Sequence, residues 1–128
     1  MPDPELCAKL EVPALPTTGF ATLEEAAASV LEPGVVYDIA VPATGPVYVA
    51  FSTVSEHTTF GAYVNAPSAR VLRAGIEIAA TTQLVGCDSD VFAKVTHHAH
   101  MPSVFVLEIE PGDATSVLGM FEVLSVGL

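Results

Sequence analysis

Three of the four histidines, His97, His98 and His100, fall within the run His97-His98-Ala99-His100-Met101-Pro102, and the apolar stretch Ser103-Val104-Phe105-Val106-Leu107-Glu108-Ile109 follows at once. Histidine is the commonest metal ligand, binding through a neutral ring nitrogen. On an extended strand, side chains two apart share a face. His98 and His100 therefore project together, and His97 projects to the other side. The i, i+2 spacing lets two imidazoles converge on one ion. A third ligand has to come from elsewhere, and His57 is the one remaining histidine. Asp88, Asp90 and Met101 are supplementary candidates. Three imidazoles suit zinc or copper, and an added thioether favours Cu(I). The competing reading is a polar strand end whose exposed histidines collect metal adventitiously. His97 is expected to belong to that exposed end in either case.

Other chemistry finds little support. Cys87 lies ten residues before His97, too far for a copper loop of closely spaced Cys, His and Met. There is no CxxC pair for a thiolate zinc site. No GxSxG nucleophile elbow and no Gly-rich phosphate loop occurs. Asp88 and Asp90, in Cys-Asp-Ser-Asp, read as turn-capping residues. Glu108 and Glu110 share one strand face, and a solvated sheet surface accounts for them. No catalytic residue is assigned.

The elements that must position the histidines are mostly strands. From Val35 onward the apolar period is two. Residues 35–41 and 47–53 alternate and read as a hairpin around the turn at 42–46. Ser55-Glu56-His57 is a loop tip, and 58–65 is a strand with Phe60, Ala62 and Val64 on one face. Two or three short strands are expected between 69 and 86. Strands at 91–100, 103–110 and 116–124 complete the chain. Before them, Thr22 with Glu25 forms a capping box for a helix over 23–31, which Pro33-Gly34 ends. A strand there is the alternative if tertiary pairing overrides propensity. Residues 1–20 hold Pro2, Pro4, Pro13 and Pro16, and are expected to form an extended lead-in without helix. The expectation is an all-β chain, an antiparallel β-sandwich or jelly-roll-like fold with at most one short helix, with 21–128 as a single domain.

A chain of 128 residues suits one domain. With 51% hydrophobic residues and 15% charged ones, it is no disordered tail. Its net charge of −11 repels phosphate backbones, so nucleic acid is excluded as a partner class. The same charge favours the approach of cations. No apolar run reaches the length of a membrane span. The first residues show neither the basic nor the apolar region of a signal peptide. The composition nonetheless reads as an exported β domain, secreted or periplasmic, whose leader has been removed; the cytoplasm is the alternative. In an exported domain the even count of cysteines implies a Cys7–Cys87 disulfide. In a cytosolic one they would be two buried thiols.

Two segments resemble the bacterial pre-peptidase C-terminal domain, a small β-sandwich appended to secreted enzymes. Val36-Tyr37-Asp38-Ile39-Ala40-Val41-Pro42-Ala43-Thr44-Gly45-Pro46-Val47-Tyr48-Val49-Ala50-Phe51 is similar to its opening hairpin. Val104-Phe105-Val106-Leu107-Glu108-Ile109 through Met120-Phe121-Glu122-Val123 is similar to its closing strand pair. Residues 36–124 are covered. The chain departs from the pattern in Thr58–Asn65, which lacks acidic residues, and in Pro102-Ser103-Val104, which replaces a Gly-Thr-Tyr lead-in. The resemblance implies a non-catalytic accessory or binding module acting beside a host-protein domain. The alternative is a small metal-binding protein that uses the histidines for copper or zinc.

Overall fold

The computed structural model describes residues 3–41, 45–87 and 90–127. Two sheets face each other. In chain order the elements are α1 (Pro4–Leu10), β1 (Leu15–Thr18), α2 (Leu23–Ala27), β2 (Val36–Ala40), β3 (Val47–Ser52), β4 (Thr58–Val64), β5 (Ser68–Arg73), β6 (Ile76–Glu77), β7 (Thr81–Cys87), β8 (Asp90–Ala99), β9 (Val104–Glu110) and β10 (Ser116–Val126). The larger sheet has the order β1-β2-β10-β4-β8-β7, and the smaller has the order β3-β9-β5-β6. Pairing is antiparallel except between β1 and β2. This is the all-β sandwich that the period-two patterning implies.

The interior is built where the inner faces of the two sheets meet. Phe51 and Phe105 come from the smaller sheet, Phe60 and Phe121 from the larger. Phe51 stacks on Phe121 with ring centroids 4.2 Å apart, and Phe60 meets Phe105 at 4.9 Å. Burying one such ring stabilises by about 1.5–3 kcal/mol, and aromatic pairing adds about 0.5–1.5 kcal/mol. The cluster lies beneath the histidine-bearing end of β4 and β8, which gives those strand ends a rigid floor.

The expected hairpin over 35–53 does not form. Strand β2 pairs with β1 and β10, whereas β3 pairs with β9 in the other sheet. Tyr37 and Ile39 of β2 and Val47, Val49 and Phe51 of β3 enter the same core from opposite sides. Period-two patterning reports that each strand has a buried face. It does not report whether consecutive strands are neighbours or face each other.

Nor is the lead-in free of helix, so there are two short helices where at most one was expected. Pro4 occupies the first helical position of α1, where its missing N–H is one that no helix would have satisfied. Asp3 caps the helix, its Oδ1 accepting the Leu6 N–H at 3.1 Å. Leu6 is fully buried among Val36, Tyr63, Val85, Phe92 and Met120, so α1 covers part of the outer face of the larger sheet. Asp3 Oδ2 also accepts from Tyr63 Oη at 3.3 Å and lies 3.7 Å from Lys94 Nζ. Cys7 of α1 and Cys87 at the end of β7 sit at disulfide distance, with Cα atoms 5.3 Å apart.

Helix α2 starts where the capping box places it: Thr22 Oγ1 accepts the Glu25 N–H at 3.3 Å and donates to Glu25 Oε1 at 3.0 Å. It ends at Ala27 rather than Leu31. Leu31 N–H donates to Ala50 O at 2.8 Å, and Val30 forms a bridge to Ala50, so pairing along β3 takes over from helical propensity.

No helix among the described residues is long and apolar enough to cross a membrane.

Candidate metal site

Strands β4 and β8 pair with Thr58 opposite Ala99, Thr59 opposite His98 and Phe60 opposite His97. The ladder carries on past the strand ends, because the His57 N–H donates to His100 O at 3.1 Å. His57 therefore stands opposite His100, one step of the outer face from the Thr59–His98 pair. Alternation then places His57, Thr59, His98 and His100 on the same outer face of the larger sheet.

The loop that delivers His57 is tied down. His57 has a positive φ of 52°, an uncommon backbone state that histidine adopts more readily than most residues. Its carbonyl accepts the Gly127 N–H at 3.0 Å, and Thr58 Oγ1 donates to Ser55 O at 2.9 Å. On the other side of the site, Thr53 N–H donates to Ser103 O at 3.0 Å, and Ser103 N–H donates to Thr53 Oγ1 at 3.1 Å. The turns entering β4 and leaving β8 are thus both pinned.

The three rings come together as the sequence leads one to expect. Ring centroids lie 5.1 Å apart for His98–His100, 5.5 Å for His57–His100 and 5.9 Å for His57–His98. One ligand nitrogen from each lies within 4.8 Å of the others. Among the described residues this is the one group of three or more His, Cys, Asp or Glu side chains arranged so. Tetrahedral zinc with Zn–N distances of about 2.0–2.1 Å sets nitrogens about 3.4 Å apart. Side-chain adjustment of roughly an ångström at each nitrogen closes that difference. His57 is half-buried, and His98 and His100 are exposed.

The supplementary ligands fare differently. Asp90 begins β8, eight residues before His98 along an extended strand. That is about 26 Å at roughly 3.3 Å per residue, so Asp90 is removed from the ligand set. Asp88 lies outside the described residues. Met101 follows His100 directly and is 58% exposed. Its thioether is adjacent in sequence to the site.

His97 is not the exposed residue expected. It is half-buried on the inner face, 5.7 Å from the Phe60 ring and 5.9 Å from that of Phe105. Its Nδ1 lies 2.6 Å from Ala79 O, and since a carbonyl only accepts, that nitrogen carries a proton. His97 closes the open end of the core.

The expected solvated face at Glu108 is also corrected. Tyr48, Glu108 and Arg70 are register partners across β3, β9 and β5. Glu108 Oε2 accepts from Tyr48 Oη at 2.9 Å, and Oε1 accepts from Arg70 Nε at 2.8 Å and from a second guanidinium nitrogen. Burial acts to raise the Glu108 carboxyl, but the hydrogen bonds from Arg70 and Tyr48 and the Arg70 charge hold it below the usual carboxylate range. This paired network is structural and lies on the other sheet.

Thr59 is the member of the site that sequence reasoning missed. Its Oγ1 lies 2.8 Å from His98 Nδ1. Only the register of β4 against β8 reveals it, and a threonine in a strand gives no signal of its own. The chain matches no family model, no curated protein and no solved structure.

Proposed function

We propose that this chain is a non-catalytic, metal-binding β-sandwich module of an exported protein, and that it takes zinc or copper through His57, His98 and His100. One observation carries the reading: three imidazoles from two separate loops and strands present nitrogens within 4.8 Å of one another. Borderline nitrogen donors suit both ions. The net charge of −11 raises the local concentration of cations. Export is supported by the Cys7–Cys87 pair at disulfide distance, since such pairs persist in oxidising compartments. The resemblance to pre-peptidase C-terminal domains belongs to the same proposal. It casts the sandwich as an appended module that binds beside a host domain.

The test is a titration. Protein purified without a polyhistidine tag and stripped with chelator is titrated with Zn(II), and separately with Cu(II), by calorimetry. One ion per chain is expected, bound more tightly than about 10 μM. Binding weaker than that for both ions overturns the metal reading and leaves the accessory module alone.

A further inference from the structure

We propose that Thr59 is a positioning residue of the metal site: it accepts the Nδ1–H of His98 and so directs the ion to His98 Nε2. The inference rests on the metal reading above and names the atom and the side chain that reading leaves open.

A neutral imidazole carries its proton on one nitrogen and a lone pair on the other. Only the bare nitrogen can ligate. At His98 the Nδ1 position is engaged, because Thr59 Oγ1 lies 2.8 Å from it. A metal at Nδ1 would have to displace that contact. Nε2 is the ring nitrogen left for an ion. With a metal there, Nδ1 must be the protonated nitrogen, and the threonine oxygen must be the acceptor. Histidine ligands are commonly oriented in this way, by a hydrogen bond from the non-ligating nitrogen.

The threonine is well built for the task. It stands directly opposite His98 in the ladder, so both backbones fix the separation. Its β-branched side chain has restricted χ1, which holds the hydroxyl in place. It is half-buried, whereas His98 is exposed, so the fixed partner anchors the mobile one. Neither His57 nor His100 has a comparable side-chain partner among the described residues.

The experiment combines tautomer assignment with affinity. Protein labelled with 15N at histidine is studied metal-free at neutral pH, by long-range proton–nitrogen correlation, as wild type, Thr59→Val and Thr59→Ser. The wild type and Thr59→Ser are expected to hold His98 in the Nδ1–H form. Thr59→Val, which keeps shape and strand propensity but lacks the hydroxyl, is expected to give a tautomer mixture. Zinc affinity is expected to fall about 10–100-fold in Thr59→Val and to recover in Thr59→Ser. Thermal unfolding of each variant confirms that the fold is retained. A wild type with the His98 proton on Nε2, or a Thr59→Val protein binding zinc as tightly as wild type, overturns the role of Thr59 while the metal site stands. A wild type that takes no zinc overturns the metal reading and the role of Thr59 with it.

Discussion

The His57 N–H donates to His100 O at 3.1 Å, extending the β4–β8 ladder one step past both strands. Two histidines 43 positions apart in sequence thereby become direct cross-strand partners. A shift of one residue in this register would turn His98 and His100 to the inner face, against Phe60 and Phe105. The buried alternation of β4 and β8 prevents that slip, because Phe60, Ala62, Val64, Ala93, Val95 and Ala99 all have to stay inside. The hydrophobic core therefore sets the geometry of the histidine site.

The ligand set follows from this register. His57→Ala, His98→Ala and His100→Ala are each expected to weaken zinc binding at least a hundredfold, about 2.7 kcal/mol. His97→Ala is expected to leave affinity within about threefold. It should instead lower thermal stability, since it removes a bond to Ala79 O and contacts with two phenylalanine rings. Calorimetry and thermal unfolding on the four variants check all of this. An essential His97 beside a dispensable His98 would mean that the register is wrong.

The histidine trio was legible because only one histidine lay outside the cluster, and because strand alternation sorts His98 and His100 from His97. The all-β fold was legible from the change of period at Val35. Partner choice was not. The β2–β3 hairpin was misread because two strands facing across a core carry the same pattern as two strands side by side. Helix α1 was hidden by the prolines of residues 1–20, one of which, Pro4, sits where proline starts a helix rather than ending one. Glu108 read as solvated because its partners, Tyr48 and Arg70, lie 60 and 38 residues away and meet it only through register.

Cys7 and Cys87 are expected to be oxidised in protein isolated without reductant. Their 80-residue separation makes a closed loop contribute about 4 kcal/mol through loss of unfolded-state entropy. Alkylation followed by mass measurement should find no free thiol before reduction and two after it. Reduction should lower the unfolding midpoint, as should Cys7→Ser. Two alkylated cysteines in unreduced protein would remove the strongest support for export.

The Tyr48–Glu108–Arg70 network should make the protein acid-sensitive. The folded-state value of Glu108 is depressed, so its contribution is present above the unfolded-state value of about 4.3 and is lost as pH falls through the folded one. Arg70→Met removes the main groups that hold the carboxylate down. The variant is expected to be less stable than wild type at pH 7 and to approach it below pH 4. Unfolding midpoints across pH 3–7 test this, and a difference that stays constant with pH would show that Arg70 acts through packing alone.

Glu122 carries the opposite sign. It lies on β10 beneath α1, and its Oε2 is buried without a hydrogen-bond partner. Burial raises its carboxyl, Lys9 opposes that rise, and Glu5 and Asp3 add to it. A raised folded-state value means that the native chain resists ionisation. Below the unfolded-state value of about 4.3 both states hold the proton, and the group is neutral in the balance. As pH rises through the window from there to the folded value, the native state loses stability relative to the unfolded one. Glu122→Gln keeps the shape and removes the charge. The variant is expected to unfold at a higher temperature than wild type at pH 7, with the gain vanishing near pH 4. A Glu122→Gln protein that is less stable than wild type at pH 7 would show that attraction to Lys9 outweighs the burial of the carboxylate.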